Sequence, residues 1–247
     1  MISEIAIFEA SAPDVDLANP KSPFKVSLQE HLRTMLSFGG AQGAYCGQLI
    51  ENPKIIIVVI NWDTLDAHVE ATKSPTDSQT HSGFPALEAS FRGNLIRDNG
   101  RATVFHVAFQ GNLLEALQPR CTSFSKTIGD TEIVLAYFQP SPLPPAAKDA
   151  ILDSFSHMEP VIERHGGLTG YRNGWAVEDL NAPLVEKGDK AAIEGDCAVY
   201  VNLTGWEDRE AHLKFMETQD FRENRHWFLD VEGLKGAEIV HARFFEV

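Results

Sequence analysis

The sequence predicts two tandem α+β units with the same order of elements, β-α-β-β-α-β, and the main evidence is an internal repeat. Residues 39–47 and 166–174 both fit the pattern GGxxGxxxG, 127 residues apart in a chain of 247 residues. A repeat of about half the chain indicates a duplicated domain. Further matches extend the repeat across most of each half. They pair 4–8 with 132–136, 61–68 with 205–212, and 104–109 with 239–244.

A chain of this length can form one large domain or two smaller ones, and the repeat favours two. We expect domain 1 at residues 1–112, a linker at 113–130 and domain 2 at 131–247. A hydrophobic content of 43% with 23% charged residues is ordinary for a globular protein.

In the first half, apolar and β-branched runs predict four strands. A helix begins near Ser27, with Glu30 at the capping-box position, and ends at Gly39-Gly40. Asp63 or Thr64 caps a second helix that reaches about Lys73. Residues 74–83 are polar and predict a loop. The predicted strands are 4–10, 45–50, 55–60 and 103–109.

The second half repeats this order. Apolar residues at helical spacing between Ile151 and Ile162 predict a helix that stops at Gly166-Gly167. A second helix runs from Asp208 to about Glu217. The predicted strands are 131–138, 171–177, 197–203 and 237–245.

The order β-α-β-β-α-β is that of the ferredoxin-like split fold. One such sheet has helices on one face and leaves the other face apolar. We therefore expect the two sheets to pack against each other within one chain, which would close a barrel-like core.

Each half resembles the dimeric α+β barrel superfamily, in particular its antibiotic-biosynthesis-monooxygenase-like and stress-responsive A/B-barrel branches. The resemblance rests on the Glu-Ile start of strand 1, the Gly-rich turn, an apolar third strand ending in Trp, and the Trp-x5-His segment. Fused tandem copies are known in this superfamily. Its members include cofactor-free oxygenases, cyclases, decarboxylases, isomerases, haem enzymes and proteins without known activity, so the resemblance implies a fold more than a reaction.

The net charge of −14 argues against a nucleic-acid or anionic-membrane surface, because both require a basic footprint. Three cysteines without a CxxC pattern indicate neither a disulfide framework nor a structural zinc site. Met1–Glu4 lacks the basic start of a signal peptide. We expect a cytoplasmic protein that binds a small molecule, as a monomer or as a homodimer of the tandem chain.

Four histidines at matching positions of the two halves are the candidate catalytic residues. His68 and His212 follow Trp62 and Trp206 by six residues, and His106 and His241 lie in the last strands. A histidine in a pocket suits proton abstraction near neutral pH. The alternative is that these histidines pack in the core or bond to the backbone because the fold uses them in both halves.

Several other side chains could bind a substrate. Arg243 could bind a carboxylate or an enolate oxygen, or could pair with an acidic residue. Tyr200 and Asn202 share a strand face whose aligned places hold Val58 and Ile60 in the first half, which predicts a more polar cavity in the second half. The remaining candidates are aromatic or lie near a predicted lid at 221–228. They are Trp62, Trp206, Tyr171 and His226.

From the resemblance we expect an enzyme that needs no cofactor and acts on a hydrophobic aromatic or polyketide-like molecule of secondary metabolism. Oxygenation, cyclisation, decarboxylation and isomerisation can all start from an anion formed by a histidine base. A haem-dependent barrel and a non-catalytic ligand-binding protein are the alternatives. The non-catalytic alternative predicts histidines that lie outside the pocket or bond to the backbone. No cluster of residues at ligand spacing indicates a metal site.

Overall fold

The computed structural model describes residues 1–12, 15–73, 91–97, 102–110, 130–139, 141–165, 167–182, 184–185, 193 and 195–247. The predicted linker, apart from Asp130, and the polar loop at 74–83 lie outside these residues. The chain divides into two compact units. Unit 1 contains residues 1–106 and 245–247, and unit 2 contains residues 107–244.

The first repeat has the predicted order of strands and helices. Its elements are β1 (Ile2–Glu9), α1 (Pro23–Met35), β2 (Ala41–Leu49), β3 (Ile55–Trp62), α2 (Leu65–Thr72) and β4 (Ala102–Phe109). Helix α1 starts four residues before the predicted cap Ser27, because Pro23 occupies its first turn. The fixed φ of proline suits that position.

The four strands of this repeat follow the ferredoxin-like order β4-β1-β3-β2. Strand β1 pairs antiparallel with β3, and β3 pairs antiparallel with β2. Leu28 and Leu32 of α1 pack on the face that carries Phe8 and Trp62. Alternate residues on the opposite face, such as Ile7, are buried as well. Residues 245–247 also belong to unit 1, where the Val247 N–H donates to the Ala44 carbonyl oxygen.

The second repeat keeps the order but breaks its first helix. Its elements are β5 (Asp130–Phe138), α3 (Pro145–Ser156), α4 (Glu159–Glu163), β6 (Leu168–Ala176), β7 (Leu180–Asn181), β8 (Asp196–Trp206), α5 (Arg209–Glu217), α6 (Gln219–Asn224), α7 (His226–Leu229) and β9 (Leu234–Glu246). The helix predicted to be continuous from Ile151 to Ile162 is divided between α3 and α4. Pro160 lies in the first turn of α4, where its missing N–H costs no hydrogen bond.

Strands of the second repeat follow the same order, β9-β5-β8-β6, with antiparallel pairing throughout. The short strand β7 pairs with the beginning of β8. Residues 107–109, which belong to unit 2, pair with residues 174–176 of β6. Phe155 of α3 stacks on Tyr200 of β8, so the helices cover the face that carries Tyr200 and Trp206.

Within the part of the chain that the structure describes, no helix is both long and apolar enough to cross a membrane.

A glycine from each repeated Gly-rich segment sets the position of the following helix. Gly40 and Gly167 have φ values of 90° and 77°, in the left-handed region. Their carbonyl oxygens accept hydrogen bonds from the N–H groups of Asp63 and Glu207, just before α2 and α5. A Cβ on Gly40 would lie 2.6 Å from the Cβ of Ala67 in α2. These glycines therefore do more than end a helix, because they let α2 and α5 approach the sheet.

We expect Gly40→Ala to lower the free energy of unfolding by about 1–3 kcal/mol, from left-handed strain and from overpacking against Ala67. Gly39→Ala is the matched control, since a Cβ there meets no atom within 4 Å. Denaturant titration of both variants measures the difference. Equal stability of the two variants would contradict this role of Gly40.

Candidate active site

A glutamate on the first strand of each repeat, buried in unit 1 and partly buried in unit 2, is bonded to the tryptophan that ends the third strand. Glu4 lies opposite Ile60 in the β1–β3 register, and Ile60 is two residues from Trp62 on β3. The two side chains therefore share a face as diagonal neighbours. The Trp62 Nε1–H donates to Glu4 Oε2 at 3.0 Å, and the Trp206 Nε1–H donates to Glu132 Oε2 at 3.0 Å.

The second helix of each repeat places a histidine next to this glutamate. Thr64 and Asp208 cap α2 and α5 through their side-chain oxygens. The histidines lie one helical turn later, so the spacing Trp-x5-His brings His68 and His212 back over the tryptophans. The His212 ring lies 5.0 Å from the Trp206 ring, measured between centroids. The Nε2 atoms of His68 and His212 lie 3.4 Å from Oε2 of Glu4 and Glu132, respectively.

The last strand of each repeat adds a second histidine. His106 Nε2 lies 2.8 Å from His68 Nδ1, and His241 Nε2 lies 2.7 Å from His212 Nδ1. One ring in each pair must donate the shared hydrogen to the other. We call this set the Trp–Glu–His–His network. It consists of Trp62, Glu4, His68 and His106 in unit 1, and of Trp206, Glu132, His212 and His241 in unit 2.

Each network borders an apolar cavity between the sheet and the helices of its own unit. The unit 1 cavity has a volume of about 150 Å³ and is lined by Glu4, His68 and apolar side chains such as Phe8. The unit 2 cavity has a volume of about 100 Å³ and is lined by Glu132, His212, Trp206 and apolar side chains. His106 and His241 are absent from these linings and stand behind His68 and His212.

Burial makes the Glu132 carboxyl group a weaker acid than an ordinary glutamate. It raises the pKa of Glu132 to about 7, although the hydrogen bond from Trp206 favours the ionised form. Near neutral pH, both protonation states of this carboxyl group are therefore accessible. A group with such a pKa can accept or donate a proton in the cavity.

The polar strand residues predicted for unit 2 lie on the helix-covered face but outside the cavity lining. Tyr171 and Tyr200 are buried, and burial raises the pKa of both hydroxyl groups. Thr204 does line the cavity, and its hydroxyl donates to Asn202 Oδ1 at 2.8 Å. When Trp62 is aligned with Trp206, Val58 corresponds to Asn202 and Ile60 to Thr204. The sequence analysis had aligned Val58 and Ile60 with Tyr200 and Asn202, which is wrong by two residues.

The structure separates Arg243 and His226 from the cavity linings. Arg243 is bound to Asp130 with an N–O distance of 2.8 Å, and its side chain is 47% exposed. The His226 Nδ1 lies 2.9 Å from the Glu223 carbonyl oxygen, on the exposed side of α7. Arg225, one residue earlier, lines the unit 2 cavity together with Phe221 and Phe228. The segment predicted as a lid thus contributes to the cavity, but through residues other than His226.

The sequence analysis did not select the two glutamates as functional residues. Both occur in the Glu-Ile start of the first strand, where they served only as a mark of the fold. A carboxylate that recurs on a strand with buried neighbours needs a buried partner. That signal was present in the sequence at Glu4 and Glu132.

No family model and no curated protein matches the chain. Solved structures do match over nearly its whole length. A Fusobacterium nucleatum protein designated a monooxygenase has a TM-score of 0.56 and 11% identity, over 99% of this chain and 92% of that one. One from Lactobacillus acidophilus has a TM-score of 0.56 and 7% identity, over 100% and 99%. An anthrone oxidase-like protein has a TM-score of 0.56 and 11% identity, over 99% and 92%.

These identities establish a similarity of fold. The monooxygenase-like structures and the chlorite dismutases that also match have the dimeric α+β barrel fold. At the level of the fold, the comparison thus confirms the resemblance predicted from the sequence.

From the resemblance we expected a protein that needs no cofactor, and this expectation is wrong. A chlorite dismutase from Candidatus Nitrospira defluvii also matches, with a TM-score of 0.48 and 12% identity, over 98% of this chain and 90% of that one. Chlorite dismutases are haem proteins. The fold therefore does not imply a protein that works without a cofactor.

The two cavities do not fit a haem. A haem macrocycle is larger than these cavities, whose volumes are about 150 and 100 Å³.

Because the pKa of Glu132 is raised in the folded protein, the free energy of unfolding depends on pH. The carboxyl group ionises near 4.5 as a model value and near 7 in the folded protein, so the folded state binds the proton more tightly. The resulting stabilisation is complete below pH 4.5 and is lost as the pH rises to about 7. It amounts to about 3 kcal/mol, at 1.36 kcal/mol per pKa unit.

We expect Glu132→Gln to remove this pH dependence, because the amide oxygen still accepts from Trp206 but does not ionise. Unfolding free energies of the wild type and the variant, measured from pH 4 to pH 8, provide the comparison. Parallel curves for the two proteins would show that the carboxyl group titrates normally.

Proposed function

We propose that the protein is an oxidative enzyme that removes a proton from a small apolar molecule held in the unit 2 cavity. The observation that carries this proposal is the position of His212. It lines the cavity beside Glu132 and is hydrogen-bonded on its other side to His241. The bonds to two side chains argue against a purely non-catalytic barrel, for which we expected histidines outside the pocket or bonded to the backbone.

The network supports the proposed role of His212 as the base. When the Nδ1–H of His212 donates to His241 Nε2, the Nε2 of His212 carries the lone pair that accepts a proton. His241 then acts as a positioning residue that holds the tautomer of His212. Glu132 stabilises the imidazolium that forms, at 3.4 Å from Nε2.

The apolar lining supports the proposed substrate class. Phe155, Phe215 and Phe228 line the cavity and suit a flat aromatic molecule. The matched structures named for monooxygenase and anthrone oxidase-like proteins favour oxidation over cyclisation, decarboxylation or isomerisation. The proposed reaction replaces the two hydrogens of a benzylic CH2 with one oxygen of dioxygen, and the second oxygen leaves as water. Loss of the first proton to His212 gives the electron-rich anion that dioxygen oxidises.

Arg225 supports the same reaction from the edge of the cavity. Among the described residues that line the unit 2 cavity, Arg225 is the one with a guanidinium group. A guanidinium group stabilises an enolate or phenolate oxygen through charge-assisted hydrogen bonds.

We also propose that the chain is the tandem, single-chain form of the dimeric α+β barrel. The same four-residue network in both repeats supports this proposal. A cytoplasmic location stays a proposal. It is supported by Cys46 and Cys197, which are buried free thiols. Activity as a monomer or a homodimer of the tandem chain is likewise proposed.

We expect purified protein to increase oxygen consumption by anthrone or its hydroxylated derivatives, measured with an oxygen electrode. His212→Ala should lower the turnover number by about a hundredfold or more, as loss of a general base does. His226→Ala is the control, because its exposed ring bonds to a backbone carbonyl and leaves the cavity unchanged.

A wild-type protein that oxidises none of these compounds would overturn the proposed substrate class. A His212→Ala variant with the turnover of the wild type would overturn the proposed base. Circular dichroism of both variants establishes that any loss comes from chemistry and not from unfolding.

A further inference from the structure

Unit 1 contains a cluster of three metal-ligating side chains. One ligand atom from each of Glu4, His68 and His106 lies within 4.8 Å of the other two. Glu4 and His68 are buried, and His106 is half-buried. The three residues come from β1, α2 and β4, so the packed sheet and helix hold them together. Among the residues that the structure describes, the same distance criterion selects no other group.

The donor set is typical of a transition-metal site. Two imidazole nitrogens and one carboxylate oxygen are the protein ligands of the two-histidine, one-carboxylate sites that bind iron(II), and histidine with carboxylate also binds zinc. Calcium and magnesium prefer sites made of oxygen alone. The chemistry of these side chains therefore favours a divalent first-row transition metal.

The distances fit adjacent positions around one ion after a small movement. With metal–nitrogen bonds of about 2.05 Å, two ligands at right angles are about 2.9 Å apart. His68 Nδ1 and His106 Nε2 are 2.8 Å apart, which is close to this separation, so both rings can bind one ion after they turn until their lone pairs converge on it and the shared hydrogen leaves. Glu4 has a ligand atom within 4.8 Å of a nitrogen of each ring, and it completes the set when its carboxylate rotates toward the ring pair.

Trp62 contacts two of the proposed ligands, and the cavity leaves space beside them. The Trp62 Nε1–H donates to Glu4 Oε2, and the Trp62 ring lies 4.9 Å from the His68 ring. Such contacts orient metal ligands and tune their affinity. Glu4 and His68 also line the cavity of about 150 Å³, which provides room for ligands other than the protein.

We propose that unit 1 binds one divalent first-row transition metal ion through Glu4, His68 and His106. This site is separate from the proton-transfer site proposed for unit 2, and it stands if that function fails. Under these two proposals the copies of the network differ in function, since unit 1 binds a metal ion and unit 2 transfers a proton.

The test is cobalt(II) binding to metal-free full-length protein, followed by equilibrium dialysis and by the visible absorption of the bound ion. We expect one cobalt ion per chain. His106→Gln and Glu4→Gln should each weaken cobalt binding by about a hundredfold or more. Loss of a residue that only hydrogen-bonds to a ligand typically costs about 10–100-fold in affinity. His241→Gln is the matched control, because it alters the same strand position in the other repeat and should leave the affinity unchanged.

The outcomes are distinguishable. No saturable binding, or unchanged affinity in a folded His106→Gln protein, would overturn the site. Equal weakening by His241→Gln, or two ions per chain, would overturn its restriction to unit 1. If a variant fails to fold, X-ray absorption of the wild-type cobalt complex decides, since the proposal requires scattering from two imidazole rings.

Discussion

A buried carboxylate on the first strand is the constraint on which each repeat depends. An ionised carboxylate in an apolar interior costs several kcal/mol unless it is paired and hydrogen-bonded. Glu4 and Glu132 meet this requirement with the same two partners, a tryptophan N–H and a histidine. Each partner comes from a different element, so satisfying the carboxylate ties the third strand and the second helix to the first strand.

The repeated glycines belong to the same constraint. The histidine reaches the glutamate only if its helix starts close to the sheet, and Gly40 and Gly167 allow that approach. A sequence signal that looks like a turn motif is thus part of the site. Because the network serves the fold in both units, its presence in both is expected, and functional differences must come from what surrounds it.

Much of the fold was predictable, because strand and helix patterns are local. The repeat located eight strands, the helices and the four histidines. The pairing of His68 with His106 was not predictable, since it joins side chains 38 residues apart on a helix and a strand. Arg243 looked like a ligand for an anion because strand periodicity gives its face but not Asp130, which lies opposite it in the register and binds it.

The surroundings do differ between the units. Unit 1 presents Val58 and Ile60 where unit 2 presents Asn202 and Thr204. The more polar face belongs to the unit for which we propose proton transfer. The sequence anticipated a more polar second half, but only the register showed which residues carry that polarity.

The central claim is that two histidines in each unit share one hydrogen between Nδ1 of the helix residue and Nε2 of the strand residue. Nitrogen NMR of protein labelled at its histidines tests this directly. The account predicts, in metal-free protein, one strongly downfield N–H proton per unit, coupled to nitrogens of both rings and lost from unit 2 in His241→Ala. Four imidazoles with free tautomer exchange and rapid exchange of their protons with water would contradict it.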